Sequence, residues 1–219
     1  MTNLDPDRTL ALAYVPAAHR AAVEALWRLD AALGSVVSTG REPMIGRIRL
    51  AWWRESLEKL DSAPAPAEPV LTALARHVLP TGVTGAELAE MESGWAVLLS
   101  AEPLDAADFD AYASARGGLL FRCTARLLGD ASPPAEVESG GRAWALADLA
   151  RNSASDTEAE AAIVAARTVQ SWRWPAHLRP LGMLAILAAR DAGPDRPRWE
   201  PQGAPRRMLR MLRHRLTGK

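Results

Sequence analysis

Residues 42–54, EPMIGRIRLAWWR, hold the densest set of chemically capable side chains in this sequence. Trp52 and Trp53 are adjacent, and Arg47, Arg49 and Arg54 alternate with Met44, Ile45, Ile48 and Leu50. Consecutive helical side chains diverge by about 100°, so the two indoles serve different neighbours. One packs in the core, and the other lies against a second helix or a cavity wall. The three arginines are either solvated or aimed at an anion. A second basic set, PRRMLRMLRHRLTGK, closes the chain. Met208, Leu209, Met211, Leu212 and Leu216 stand among Arg206, Arg207, Arg210, Arg213 and Arg215. Such a helix can lie on an anionic membrane surface, dock on an acidic body, or remain solvated.

Other reactive residue types form no pattern. His19, His77, His177 and His214 lack the spacing of zinc ligands, and Cys123 reads as a small core residue. Arg116-Gly117-Gly118 interrupts a helical stretch. Two glycines there cost about 1 kcal/mol each relative to Ala, which suggests the close approach of another helix or of a ligand.

The elements that carry these residues read as helices throughout. At 219 residues with 48% apolar content, the chain suits one domain with a substantial core. A mixture rich in Ala and Leu, with only two Phe and two Tyr, favours helices over sheets. Pro16 opens a long helix to about Val37, with Val23, Leu26, Trp27, Leu29, Leu33 and Val36 on its apolar face. Ser38, Thr39 and Gly40 end it. Pro43 opens a second helix to about Leu60, and DSAPAPAEP, residues 61–69, is a rigid connector. A short helix follows over Val70–Leu79. Thr84 with Glu87 forms a capping box for a helix to about Ser100, and Asp105 caps one running to Leu128, stopped by Gly129. Further helices are expected from Pro133-Pro134 to Arg151, from the polar NSASDTE segment to Val169, from Pro175 to Arg190 after a SWRWP loop, and over the basic terminus. The expected fold class is an all-α single domain of eight to ten helices.

Net charge is zero but unevenly spread. Residues 196–219 carry eight Lys/Arg and one acid, Glu200, giving +7; the other 195 residues carry 18 basic and 25 acidic, giving −7. Nucleic acid is not an expected partner. One cysteine allows no intrachain disulfide, the N-terminus does not read as a secretory signal, and no apolar run is long enough to span a membrane. The expected location is cytoplasmic, with the inner face of the membrane as a peripheral site.

The pattern of Glu42, Pro43, Arg49, Leu50, Trp52, Trp53, Arg54 and Leu57 resembles a signature of the squalene/phytoene synthase family. Further similarity lies in Tyr14-Val15-Pro16 with Arg20, Ala25-Leu26-Trp27-Arg28-Leu29, Tyr112 through Gly129, Gly141 through Leu146, Arg179-Pro180-Leu181, Ala189-Arg190-Asp191, and the Leu-Thr-Gly-Lys end. The resemblance implies an isoprenoid-synthase-like helical bundle around a central cavity, spanning residues 1–195, with 196–219 as a basic helix packed on it or extending from it. It also implies chemistry: two aspartate-rich clusters hold Mg²⁺ and two isoprenoid diphosphates.

At those positions the sequence departs from the family. The first cluster falls on Gly34, Ser35 and Ser38, with Asp30 alone one turn earlier. In the second motif Ala145, Asp148, Arg151, Asn152 and Asp156 stand where Gln, Asn, Arg, Asp and Asp are expected. Asp148 and Asp156 are the weak catalytic candidates, with Asp156 the candidate metal ligand. Arg151, Asn152, Tyr112 and Trp53 are the substrate-binding candidates. Arg151, Asn152 and Asp156 read equally well as a solvated helix end. The expectation is a non-catalytic relative that binds an isoprenoid, another lipid or a protein. No cofactor is expected unless the chain is active, in which case Mg²⁺ is required. Ile45, Gly46, Arg49 and Trp53, with the missing acids, resemble a branch that acts in respiratory complex I assembly. The alternative is an active prenyltransferase that builds a reduced metal site from Asp30, Asp148 and Asp156.

Overall fold

A computed structural model describes residues 4–39, 42–100, 102–167, 172–193 and 199–218. Among the described residues there are helices and turns and no strand. Gly40, Val169, Ser171, Arg196 and Lys219, each of which bounds or marks one of the expected segments, lie outside the described residues, as does the 195/196 boundary.

The chain starts with a helix that periodicity alone does not reveal, α1 (Pro6–Ala13). Asp5 caps it by accepting the Arg8 N–H, and Pro6 sits at its first position. The long second helix, α2 (Ala17–Thr39), buries all six of its expected apolar residues, Val23, Leu26, Trp27, Leu29, Leu33 and Val36. Trp27 is wholly buried and donates to Thr124 Oγ1 at 3.0 Å, which satisfies its one polar atom. Next come α3 (Pro43–Lys59) and α4 (Pro69–His77), separated by the proline-rich connector. On α3, Trp53 turns inward with Gly46, Leu50 and Leu57, while Trp52 turns outward and meets Trp53 edge-on at 5.2 Å.

Two expected helices are broken. The Thr84–Ser100 stretch splits into α5 (Gly85–Ala89) and α6 (Met91–Val97). Thr84 does cap α5 by accepting the Glu87 N–H, but the reciprocal half of the capping box is absent from its cap. The Glu87 carboxylate instead accepts twice from Arg126, at 2.8 and 2.7 Å. The Asp105–Leu128 stretch is α7 (Ala106–Tyr112), a π-helical turn over Ala113–Gly118, and α8 (Leu119–Leu127), with Gly129 left-handed at φ 97°. The later helices are α9 (Ala135–Asn152), α10 (Asp156–Ala166), α11 (Arg179–Asp191) and α12 (Pro205–Thr217). α10 ends at Ala166 rather than at Val169, and a 3₁₀ turn over Ala176–Leu178 precedes α11.

α9 runs against the π turn, α8, α10 and α11. The close approach at the π turn explains the paired glycines. A Cβ on Gly117 would lie 2.1 Å from the Gly141 carbonyl oxygen, and one on Gly141 would lie 2.2 Å from that of Gly117. The two backbones touch, and only glycine on both sides allows it. α12 packs against α11 and α1. Arg207, buried, donates to Asp7 at 2.9 Å and to both oxygens of Asp191 at 3.0 and 2.7 Å, tying α12 to both neighbours. The apolar residues of α12 are divided: Met211 is buried, whereas Leu209 and Leu216 face solvent.

The glycine contact makes a mutational contrast. Ala at 117 gains about 1 kcal/mol of helix propensity but drives a methyl into fixed backbone, so Gly117→Ala is expected to destabilise by about 2 kcal/mol net. At 118 the new Cβ meets flexible side chains and no backbone: Glu138 at 3.0 Å and Arg142 at 3.5 Å. Gly118→Ala should therefore be neutral or stabilising. Urea unfolding of the two variants checks both signs.

Candidate functional site

The interior between α2, α6, the π turn and α9 is filled by one arginine and its partners. Arg116 leaves the π turn and is 1% exposed. Its Nε donates to Asp30 Oδ1 at 2.9 Å and its Nη2 to Asp30 Oδ2 at 3.2 Å, a two-point contact with a carboxylate that is itself fully buried. The same Nη2 lies 2.8 Å from Asp148 Oδ2 on α9. Nη1 donates to the Tyr112 hydroxyl. The guanidinium is sandwiched between indoles, 4.2 Å from the Trp95 ring centre and 4.7 Å from that of Trp144. Trp95 also donates to Asp30 Oδ1, at 3.2 Å. Arg8 on α1 donates to Asp30 Oδ2 at 2.8 Å and pairs with Asp5 on its other side.

The electrostatics follow from burial against pairing. Burial pushes the Asp30 carboxyl up, but the Arg116 and Arg8 guanidiniums outweigh it, and the group ends below the usual carboxylate range. Burial likewise opposes the charge on Arg116, and Asp30, Tyr112 and Asp148 more than restore it. Tyr112 is pushed well above an ordinary phenol, chiefly by burial, and stays neutral. The cluster is thus a neutral tyrosine and ion-paired groups that satisfy one another.

The residues singled out by the sequence fall in three places. Tyr112 and Asp148 meet at Arg116. Asn152, exposed, donates to the Asp148 carbonyl at 2.8 Å and to Asp148 Oδ1 at 3.3 Å. Arg151 turns the other way, to Asp191 at 2.9 Å and the Glu200 carbonyl at 2.6 Å, and stacks over Trp199 at 4.7 Å. Arg151 and Asp148 both line a cavity of about 20 Å³, enough for a single water. Asp156 is not brought to this place. It is exposed in the first turn of α10, where a carboxylate complements the helix dipole. Trp53 lines a separate groove of about 330 Å³ with Arg28, Ser35 and Val70.

The positions at which the family resemblance expects acids are informative as well. The Trp95 ring lies over Gly34, so that a Cβ there would fall 2.7 Å from the indole. Ser35 donates to the Ala32 carbonyl at 2.8 Å, and Ser38 is exposed. No group of three or more His, Cys, Asp or Glu with metal-binding geometry exists among the described residues. From the sequence, Arg8 and Trp95 are not singled out, Trp144 falls only within the family-like Gly141–Leu146 stretch, and Asp30 has a role only in the alternative metal site. The available signal was Arg116 itself, one charge amid ASARGGLLF, since a buried arginine requires an acid.

A family model described as squalene/phytoene synthase matches residues 1–166, and the chain belongs to that family. No curated protein matches the chain, and no solved structure does.

Removing the carboxylate leaves the buried Arg116 with Asp148 as its remaining acid and the half-buried Arg8 with Asp5. Asp30→Asn is expected to cost about 3–5 kcal/mol. The Asp30 carboxyl is more acidic in the folded protein than in the unfolded chain, so the unfolded chain takes up its proton first as pH falls. The stabilisation is therefore complete above about pH 4 and declines as pH drops from there through the depressed folded value. Urea midpoints measured from neutral to acidic pH should show this loss in the wild type and a shallower one in Asp30→Asn.

Proposed function

We propose that this squalene/phytoene synthase-like protein does not condense isoprenoid diphosphates and acts by binding. Arg116 carries the reading. It lies between Asp30 on the helix that bears the first family cluster and Asp148 on the helix that bears the second, where an enzyme of this type needs its metal ions and diphosphates. The donor set there does not suit a Mg²⁺ cluster. Mg²⁺ demands several free hard oxygens in octahedral array, whereas both Asp30 oxygens accept from Arg116, with Arg8 and Trp95 adding to them, and Asp148 is paired as well. Asp156 is exposed on another helix.

Binding then falls to the grooves between helices and to the surface. An isoprenoid or another lipid is one class of ligand. A protein partner is the other, and the similarity to the complex I assembly branch makes a respiratory complex the natural candidate. We place the protein in the cytoplasm, peripheral to the inner face of the membrane; no described helix is long and apolar enough to cross a bilayer.

The test is turnover. Purified protein with Mg²⁺, NADPH and radiolabelled farnesyl or geranylgeranyl diphosphate is expected to release no diphosphate and form no condensed product, while circular dichroism shows it folded and helical. Product that disappears in Asp156→Ala would overturn the proposal and identify a prenyltransferase with a rebuilt metal site.

A further inference from the structure

The outward face of α3 is unlike the rest of the helical surface. Met44, Ile45, Ile48 and Trp52 are 68%, 44%, 63% and 47% exposed. At about 100° per residue they fall within an arc of roughly 100°. The inward face of the same helix, with Gly46, Leu50, Trp53 and Leu57, is already committed to the core. α3 is thus apolar on both sides, which fold stability alone does not call for.

The charges around the outer stripe are ordered. Arg47 and Arg49, both exposed, stand on either side of it. The Arg47 guanidinium donates through Nη2 to the Leu99 carbonyl at 3.2 Å, which holds the charged head beside the stripe and, among the described residues, leaves its other N–H groups over. Glu42, the cap residue, lies off the face on the Arg49 side. Lys59 and Glu55, 3.7 Å apart, close the stripe at its C-terminal end, and Arg54 is paired with Glu58 at 3.0 Å. Along the first turns of the stripe the Arg47 flank is therefore basic, while on the other flank Arg49 stands beside Glu42.

We propose that the N-terminal half of α3 docks on an anionic lipid bilayer, with Met44, Ile45, Ile48 and Trp52 in the headgroup–acyl boundary and Arg47 and Arg49 on lipid phosphates. The stripe is the ridge of a convex helix, which suits a deformable bilayer. Long apolar side chains, an indole at one end and arginines on both flanks make up an interfacial helix. The C-terminal helix is the weaker candidate for this contact. Met211 and Arg207 are turned inward, which leaves Leu209 and Leu216 as its exposed large apolar residues. This inference is independent of whether the chain turns over diphosphates.

Flotation of the full chain with phosphatidylcholine vesicles, with and without phosphatidylglycerol, tests it. The wild type is expected to float with the anionic vesicles and to be released by salt. The double variant Ile48→Glu/Trp52→Glu should bind at least about tenfold more weakly. Arg49→Ser should lose roughly fivefold on anionic vesicles and little on neutral ones. Leu209→Glu/Leu216→Glu on α12 should bind as the wild type does. Because the substituted residues face solvent, thermal melting should leave every variant folded. Quenching of Trp fluorescence by brominated lipid should fall in Trp52→Phe. Failure of the wild type to float, or flotation that survives Ile48→Glu/Trp52→Glu, would overturn the proposal. So would a lipid-free dimer that the same double variant dissolves, since the face would then belong to a second copy of the chain.

Discussion

The contact between Arg116 and Asp30 determines how the interior is organised. Both groups are fully buried and both are charged, so neither is tolerable without the other. A guanidinium placed there must be met by acids and flat rings, and four elements supply them. α2 brings Asp30, α6 brings Trp95, α7 brings Tyr112, and α9 brings Asp148 and Trp144. Each of these helices has a position set by the arginine as much as by apolar packing. Buried ion pairs add little net stability compared with apolar replacements of similar shape. In this bundle the pair fixes one arrangement of otherwise similar Ala- and Leu-rich helices.

α1 links that centre to a second network. Its adjacent residues Asp7 and Arg8 serve different clusters. Arg8 joins Asp30, and Asp7 joins Arg207 of α12 and accepts from the Gly203 N–H at 2.9 Å. Arg207 is shared with Asp191 of α11, and Asp191 in turn with Arg151 of α9. The basic terminus thus meets the acidic body through specific buried pairs. Burial opposes the charge on Arg207, and the hydrogen bonds it donates to Asp191 and Asp7 restore it. The half-buried Arg190 beside this network makes a two-point contact with Glu200, at 2.6 and 3.0 Å.

Much of the helical order was legible because it is local. The apolar spacing of α2, the proline starts of α3 and α4, and the split of Trp52 from Trp53 by helical geometry all follow from neighbours in sequence. The paired glycines at 117 and 118 announced a close approach, though not its partner at Gly141. Other features had no local signature. α1 is eight residues long, too short for a period to register, although Asp5-Pro6 is a start signal. The π turn inserts its irregularity inside a continuous apolar pattern. The capping box at Thr84 was half right because Glu87 found a stronger partner in Arg126, 39 residues away. Arg116 and Asp30 are 86 residues apart, and without a known fold nothing in either segment names the other. Asp148 was flagged through family resemblance, yet that resemblance gave no hint that an arginine would answer it.

On the proposed binding function, an arginine stands where enzymes of this type need their metal ions, and this has a consequence for where such a protein can act. A Mg²⁺ ion held by carboxylates keeps open coordination sites for water and phosphate oxygens. A guanidinium on a covalent stem has no open site. Its five N–H donors are directed by planar geometry, and here four contacts join them to Asp30, Asp148 and Tyr112 while Trp95 and Trp144 lie against the guanidinium. Trp95 further covers Gly34, at the first position of the missing cluster. Restoring a carboxylate at one of these positions would add a negative charge beside an indole without freeing a coordination site, so recovery of a metal centre requires the removal of Arg116 as well. The interior is in this sense committed to structure. The freedom that remains lies outside it, in the grooves between helices and in the outward face of α3, whose apolar residues the core does not use.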